Sequence, residues 1–291
     1  MSKADEESNR ALEDRQWQRF RVTRHDHWLR VRIAAPPMNL IDWPMLHDLD
    51  ALSRQLEQES TLSLVSFESD LPGYFIAHAD LNLFLEPPPE DQPALSDSPV
   101  AVFMRFRRLP QLTVAGIAGR AIGGGLEFAL AMDLVAADKS LSKMGFFEGH
   151  LGTVPGAGGT WAAPERVGRG RALYLLLAGE ELDAETAERF GLIDHVVEPG
   201  GMAAFLERLA GRVAALPAPV VAQTKELVTA HLAVADVDAA AGRESAAQRA
   251  LESRLPGEAR RRMQRFLSLG GQDPAWEAER MADMLPRLGD G

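Results

Sequence analysis

The sequence predicts an α/β fold with largely parallel strand pairing and a helical last third. Up to about residue 199, short apolar runs alternate with stretches of helical periodicity, an order typical of parallel sheets. After residue 200 the pattern is almost wholly helical. A chain of 291 residues with 46% hydrophobic and 25% charged residues is ample for a large core. We expect a flexible arm at residues 1–15, a core domain at 16–199, and a helical region at 200–291 for capping and oligomerisation.

Composition argues against several functional classes. The net charge of −11 disfavours non-specific binding to nucleic acid or to an anionic membrane surface. Without cysteine, the chain has no disulfides, thiolate nucleophiles or cysteine–metal sites. The polar start "MSKADEESNRALEDRQ" is unlike a signal or transit peptide, and no apolar segment reaches membrane-spanning length. We therefore expect a cytoplasmic protein that binds neither nucleic acid nor membrane.

The first part of the core predicts a hairpin followed by alternating helices and strands. "WQRFRVT" and "HWLRVRI" alternate apolar and polar residues on either side of "RHD", which predicts an antiparallel hairpin over 17–33. The proline-rich "EPPPEDQP" at 86–93 predicts an exposed loop. The other predicted elements are helices at 43–59 and 100–109 and buried strands at 62–69 and 112–119.

Three consecutive glycines, Gly123 to Gly125, stand just before an apolar run and predict the start of a helix. A phosphate-binding loop is disfavoured, because neither G-x-G-x-x-G after the first strand nor G-x-x-x-x-G-K-[ST] occurs. Two explanations stay open: close packing of small residues, or a helix N-terminus whose bare N–H groups face a ligand oxygen. Glu127 follows one turn later among apolar neighbours, where desolvation would raise its pKa towards neutrality.

The second half of the core repeats this pattern. A strand near 143–147 precedes a second glycine-rich turn, "EGHLGTVPGAGGT", at 148–160. Helices over 163–179 and 183–191 and a strand over 193–197 follow. Beyond residue 200, "MAAFLERLAGRVAALP", "APVVAQTKELVTAHL" and an alanine-rich segment to about residue 268 predict further helices.

Several segments together resemble the enoyl-CoA hydratase/isomerase (crotonase) superfamily in order and spacing. They are "PPMNLID", "GYFIAHADL", "GRAIGGGLEFALAMDLVAAD", "GFFEGHLGTVPGAGGT" and "GRGRALYLLLAGEELDAETAERFGLIDHVV", and the resemblance covers roughly residues 17–268. It implies a crotonase-like fold of repeated ββα units that forms a homotrimer or hexamer. It also implies an acyl-CoA thioester as substrate, with no metal and no cofactor other than the CoA of the substrate.

The resemblance implies roles for residues in these segments. The backbone N–H groups of Ala79 and Gly124 would form an oxyanion hole for the thioester carbonyl. Glu127 would activate water, and Glu148 would transfer a proton at the α-carbon. Since 21 positions separate the two glutamates, no single helix face can hold both. Further substrate contacts are expected at Ala77, His78, Asp80, Gly123 and Phe147.

The sequence departs from the family pattern at three places. His78 stands where the oxyanion loop commonly has glycine, and we expect its imidazole to point outward. Phe147 replaces a frequent proline before the second glutamate. The C-terminal "FLSLGG" lacks the lysine that helps many hydratases hold CoA phosphate. The nearby cations are Arg261, Arg262 and Arg265.

These residues favour hydration of a 2-enoyl-CoA to a 3-hydroxyacyl-CoA through a stabilised enolate. A Δ3,Δ2-enoyl-CoA isomerase, or another enolate-forming reaction, is the alternative within enzymes. It could use one carboxylate where hydration uses Glu127 and Glu148. A non-catalytic acyl-CoA-binding protein of the same fold is the third possibility, suggested by His78 and the missing lysine.

Overall fold

The computed structural model describes residues 12–13, 15–90, 95, 97–231 and 237–289. Most of the arm expected at 1–15 and the end of the loop expected at 86–93 lie outside the described residues. Leu12 is buried, and its carbonyl oxygen accepts a hydrogen bond of 2.9 Å from Trp17 Nε1. Packing against the core therefore begins before residue 16.

Ten strands form two sheets. The larger sheet has the order β1-β2-β3-β5-β7-β10, in which only the β1–β2 hairpin is antiparallel. Its strands are β1 Phe20–His25, β2 Trp28–Ile33, β3 Leu64–Ser69, β5 Leu112–Ile117, β7 Leu134–Asp138 and β10 His195–Val197. The smaller sheet has the order β4-β6-β8-β9, with only the β8–β9 pair antiparallel. Its strands are β4 Gly73–Ile76, β6 Gly119–Ile122, β8 Lys143–Gly145 and β9 Leu182–Asp183.

Eleven helices and a short 3₁₀ helix lie within the described residues. Those of the core are α1 Trp43–Gln58, α2 Asn82–Leu85, α3 Pro99–Arg108, α4 Gly124–Leu130, α5 Gly159–Ala178 and α6 Ala184–Phe190. Those after residue 200 are α7 Met202–Val213, α8 Ala218–His231, α9 Val237–Arg254, α10 Glu258–Ser268, α11 Pro274–Met284 and the 3₁₀ helix Leu285–Gly289. The hairpin, the helices predicted at 43–59 and 100–109, and the helical last third are confirmed.

Repeated strand pairs link the two sheets. Each of the pairs β3–β4, β5–β6 and β7–β8 places its first strand in the larger sheet and its second in the smaller, and a helix follows. The α/β fold of repeated ββα units is thereby confirmed. The single strand predicted over 112–119 is in fact two, β5 and β6, which belong to different sheets. Nearly every residue of both strands is buried and only Ala118 separates them, so the sequence pattern does not reveal the break.

Three other strands, β4, β7 and the two-residue β9, were not predicted from the sequence. The helix after the glycine triplet ends at Leu130, and the apolar residues after it form β7 instead of continuing the helix. β4 has only four residues and was not predicted. A short apolar run without period 2 or 3.6 does not distinguish a buried strand from a buried helix.

The larger sheet is covered on both faces. Leu64 and Val114 pack against α7, whereas their neighbours Val65 and Ala115 face the main core, as the period of two in a strand requires. In that core the ring of Phe128 lies 5.1–5.4 Å from three other phenylalanine rings, each contacted edge-on. Because Phe128 follows Glu127 on α4, this packing fixes the helix that carries the first predicted catalytic residue. No helix of the described residues is long and apolar enough to cross a membrane.

Candidate active site

The glycine triplet serves three different contacts. Gly123 has a φ of +50°, and a Cβ atom there would lie 2.6 Å from Glu148 Oε1. Gly125 packs so closely on β4 that a Cβ would overlap the carbonyl oxygen of Ile76. Gly124 has room for a Cβ, which would lie 3.5 Å from the backbone nitrogen of Ala79. Two of the glycines are therefore needed for packing, and the middle one faces Ala79.

Two unpaired N–H donors meet at this point. Ile41 N donates to His78 O and Asp80 N donates to Ile41 O, both at 2.9 Å, which leaves the N–H of Ala79 between them without an acceptor. Gly124 is the first residue of α4, so its N–H has no partner within the helix. Neither group donates to any described residue, and both Ala79 and Gly124 line the same cavity. The structure brings the two predicted oxyanion-hole residues together.

Glu127 lines this cavity from the first turn of α4. Its side chain is buried, and Oε1 accepts hydrogen bonds of 2.8 Å from both Ala157 N and Gly159 N. Burial, together with the negative charges of Glu148 and Glu244, raises the pKa of Glu127 well above its ordinary range, although the two backbone donors oppose the rise. The second glycine-rich turn, at residues 148–160, thus orients the carboxyl of Glu127, which follows the glycine triplet.

Glu148 is the second buried carboxyl on the cavity wall. Its Oε2 accepts a hydrogen bond of 3.0 Å from Phe147 N. Burial raises the pKa of Glu148 to about 7, even though that donor and the nearby His78 favour its ionised form. Because the charge of either carboxyl disfavours ionisation of the other, the pair loses its two protons in separate steps and can hold a single one. The site can therefore present one acid and one base.

The cavity has a volume of about 610 Å³ and extends from these groups between the core and the C-terminal helices. One side is apolar, and the other is formed by α9, α10 and the turn between them. The apolar side consists mainly of Ile41, Trp43, Leu46, Leu83, Val100 and Phe103. No group of three or more metal-ligating side chains occurs among the described residues. A cavity of this size with a few convergent polar groups is typical of a small-molecule site.

Comparison with known proteins decides the family. The chain matches the family model described as enoyl-CoA hydratase/isomerase over residues 25–277. The protein belongs to the enoyl-CoA hydratase/isomerase family. A crystal structure of a candidate enoyl-CoA hydratase from Streptomyces avermitilis has a TM-score of 0.83 and 29% identity, covering 95% of this chain and 100% of that one. The fold and the crotonase resemblance expected from the sequence are confirmed.

Two curated relatives differ in how much of them the chain covers. YngF of Bacillus subtilis strain 168, a candidate enoyl-CoA hydratase/isomerase, is 32% identical over 245 residues, which is 82% of this chain and 91% of YngF. The fatty acid oxidation complex subunit alpha of Idiomarina loihiensis is 35% identical over 171 residues, which is 58% of this chain. The match spans about a quarter of the length of these alpha subunits, for example 24% of the Idiomarina protein.

Within this family member, the orientation expected for His78 is wrong. The imidazole is fully buried, with Nε2 at 2.9 Å from Glu277 Oε1 and Nδ1 at 2.8 Å from Ala79 O. Burial alone would lower the pKa of His78, but Glu277 raises it above its ordinary value, and His78 in turn holds the pKa of Glu277 below its own. The two side chains therefore form a buried ion pair beneath the loop that carries Ala79.

Gln272, just before α11, attaches to the same loop. Its Oε1 accepts from Leu81 N at 2.7 Å, and its Nε2 donates to Asp80 Oδ1 at 3.0 Å. Its own N–H donates to Glu277 Oε1 at 2.7 Å. The C-terminal segment therefore holds the loop that carries Ala79 through three polar contacts: Glu277 bonds His78, and Gln272 bonds Asp80 and Leu81. The sequence held no signal for this, because about 190 positions separate the partners.

Of the five further substrate contacts expected from the sequence, only Phe147 lines the cavity. Its ring lies 5.1 Å from that of His78 and 5.9 Å from that of Phe266. The other four are described but are not among the lining residues, and each makes hydrogen bonds to other parts of the fold. Ala77 bonds Met38 and Ile122, His78 bonds Glu277, Asp80 bonds Gln272, and Gly123 bonds Gly145.

The arginines near "FLSLGG" have different surroundings. Arg261 and Arg262 both form salt bridges of 2.7 Å with Glu258, so both cations are paired with the same carboxylate. Arg260, one position earlier, is exposed and lines the cavity. Arg260 was not among the residues predicted from the sequence, although it lies on the cavity wall.

A third buried carboxyl, Glu244 on α9, was also missed. It bonds the second glycine-rich turn at Gly158 and Thr160. Burial raises the pKa of Glu244, although those donors oppose the rise. In the sequence it is one acidic residue in an alanine-rich helical segment, a pattern typical of a solvated face.

Proposed function

We propose that the protein hydrates a 2-enoyl-CoA thioester to a 3-hydroxyacyl-CoA. The observation that carries this proposal is the presence of two buried carboxyls, Glu127 and Glu148, on the wall of the cavity that also exposes two unpaired backbone N–H groups. Family membership supports the coarser statement that the substrate is an acyl-CoA. The reaction needs no metal or redox cofactor.

The two N–H donors of Ala79 and Gly124 would bind the thioester carbonyl oxygen. When water adds at the β-carbon, negative charge develops on that oxygen as an enolate forms. Fixed donors in a water-poor site stabilise such charge more than they stabilise the neutral carbonyl. The position of Gly124 at a helix N-terminus adds a favourable partial positive charge.

The two carboxyls would move the protons. Glu127, oriented by two backbone donors, accepts a proton from water as its oxygen bonds to the β-carbon. Glu148, in its protonated form, donates a proton to the α-carbon, so that the elements of water are added in full. The carboxyl pair then holds one proton as before, but this proton came from water and lies on Glu127, and Glu148 is left ionised. Exchange of that proton with solvent restores the starting state.

The apolar side of the cavity suits the acyl chain. Trp43, Leu46 and Phe103 offer no partner to a charged acyl group, and burial of an unpaired charge is costly. Arg260 is the cation placed at the wall for a phosphate of CoA. We expect an uncharged acyl group.

Assembly into a homotrimer or hexamer is part of the proposal. Leu173 and Leu177 on α5, and Leu227 and Val228 on α8, expose 42–66% of their surface. Apolar patches of this kind mark protein–protein contacts in soluble proteins. Light scattering coupled to size exclusion would measure the mass, and a monomer at micromolar concentration would contradict the expectation.

The direct experiment measures loss of enoyl-thioester absorbance with crotonyl-CoA and identifies the product. We expect turnover by the wild type and a fall in kcat of about 10²–10⁴-fold for Glu127→Gln and for Glu148→Gln. Glu198→Gln is the control, because Glu198 is exposed and lies outside the cavity. Tight acyl-CoA binding without turnover would instead support a non-catalytic binding protein.

Isomerisation of a 3-enoyl-CoA is the second candidate. Glu127 has one oxygen tied by two backbone donors, whereas Glu148 accepts one, so Glu148 alone could carry a proton between two carbons of the acyl chain. Incubation with 3-hexenoyl-CoA separates the reactions. Formation of the 2-enoyl isomer at a rate that Glu127→Gln leaves unchanged would favour the isomerase.

A further inference from the structure

Glu244 holds the turn that orients Glu127. Gly158 N donates to Glu244 Oε2 at 3.1 Å and Thr160 N donates to Oε1 at 2.9 Å, with the hydroxyl of Thr160 on the same oxygen. The N–H groups on either side of Gly159 thus bind Glu244, while those of Ala157 and Gly159 bind Glu127. Four successive donors of one turn alternate between two carboxyls.

A second side chain of α9 contacts the same turn. Gln248, one helical turn after Glu244, donates from Nε2 to Val154 O at 3.1 Å. The amide lies so close to Gly156 that a Cβ on this glycine would overlap it. Two residues on one face of α9 therefore hold the turn at both ends.

The charge of Glu244 also acts on the carboxyl pair. Glu244 is buried, and its negative charge raises the pKa of both Glu127 and Glu148. Among the described residues, His78 also acts on this cluster and favours the ionised form of Glu148. Since a backbone turn transmits displacement directly between adjacent peptide groups, loss of Glu244 would disturb both the orientation and the protonation of Glu127.

We propose that Glu244 is a positioning residue for Glu127, acting through residues 157–160, so that the C-terminal helical region is part of the active site and not only a cap. The catalytic consequence rests on the proposed enoyl-CoA chemistry. The structural consequence, a turn held by α9, does not depend on that chemistry.

Glu244→Ala and Glu244→Gln test the proposal with crotonyl-CoA. For the alanine variant we expect kcat to fall about 10–100-fold while KM stays within about threefold, because orientation is lost and the acyl site is intact. The glutamine variant keeps the acceptor for Thr160 and removes the charge. Because the charge of Glu244 raises the pKa of both Glu127 and Glu148, its removal should lower these pKa values. The acidic limb of the plot of log kcat against pH should then move to lower pH. Glu226→Gln, an exposed residue on α8, is the control and should match the wild type.

Amide hydrogen exchange separates this proposal from the proposed function. In Glu244→Ala we expect the amides of residues 157–160 to exchange at least about tenfold faster than in the wild type, with the strands of the core unchanged. If the wild type does not turn over enoyl-CoA, the proposed function fails and the exchange result still tests the turn. Unchanged exchange, or a glutamine variant whose pH profile superimposes on the wild type, would overturn the positioning role.

Discussion

Replacing Glu148 by glutamine should make the protein more stable at pH 8 while it removes activity. Burial raises the pKa of this carboxyl from 4.5 to about 7, so the folded state holds a proton that the unfolded chain has lost. Below pH 4.5 both states are protonated, and the carboxyl makes no pH-dependent contribution. As the pH rises through 4.5 towards about 7, stability falls, because the folded state binds more protons than the unfolded one.

The magnitude follows from that pKa. Each tenfold change in the acid dissociation constant corresponds to about 1.4 kcal/mol, so a rise from 4.5 to about 7 costs the folded wild type on the order of 3 kcal/mol at pH 8. Glutamine is neutral at every pH and avoids this cost, and it also removes a negative charge beside Glu127. We expect a gain of about 3 kcal/mol at pH 8 and less than about 1 kcal/mol at pH 5.

Urea denaturation at both pH values measures the difference, with protein concentration fixed because assembly would couple to unfolding. Thermal midpoints should rise by about 5–10 °C at pH 8. The exposed Glu198→Gln should stay within about 0.5 kcal/mol of wild type at both pH values. A Glu148→Gln variant that is less stable than the wild type at pH 8, or equally shifted at both pH values, would refute the reasoning.

Three further changes have definite expected outcomes. Gly124→Pro should lower kcat about 10²–10³-fold, as for loss of one oxyanion donor. Gly124→Ala keeps the donor but places a methyl 3.5 Å from Ala79 N, so a smaller loss is expected; equal rates in steady-state assays would contradict the oxyanion role. His78→Gly leaves Glu277 buried without its cation and should cost about 3–5 kcal/mol in urea unfolding, and an unchanged midpoint would argue against the ion pair. Because Phe103 and its neighbours are apolar, octenoyl-CoA should exceed glutaconyl-CoA in kcat/KM by at least about tenfold, and the reverse order would reject the acyl assignment.

The parts of the candidate site that the sequence predicted lie in short segments whose backbone conformation requires small residues. Three glycines before Glu127 and the turn after Glu148 are recognisable because close approach and helix N-termini impose small residues there. The strand pattern was less informative. Only Ala118 separates β5 from β6, and only the three residues Ala131 to Asp133 separate α4 from β7, so periodicity alone could not divide them.

The parts that could not be predicted depend on contacts between distant segments. In the sequence, His78 stands in a short segment that predicts a loop, where a histidine is expected to be exposed. Its burial is explained by its hydrogen bond to Glu277 of α11. Without that partner, an outward orientation was the reasonable expectation, since burial of an unpaired histidine is unfavourable. The contacts of Glu244 could not be predicted for the same reason, because they depend on how α9 packs against the turn at residues 157–160.

The contacts with α9 and α11 give the helical region a role that its sequence pattern does not indicate. α11 binds the loop of Ala79 through Glu277, Gln272 just before α11 binds the same loop, and α9 binds the turn that orients Glu127 through Glu244. The loop that carries Ala79 and the turn that orients Glu127 are therefore each attached to a different C-terminal helix. A displacement of either helix would change a donor position or a carboxyl orientation, and catalysis is sensitive to errors of about 1 Å in such groups. Truncation before α9 would thus disturb the two halves of the candidate site together, even though every residue with a proposed chemical role lies between Ala79 and Glu148.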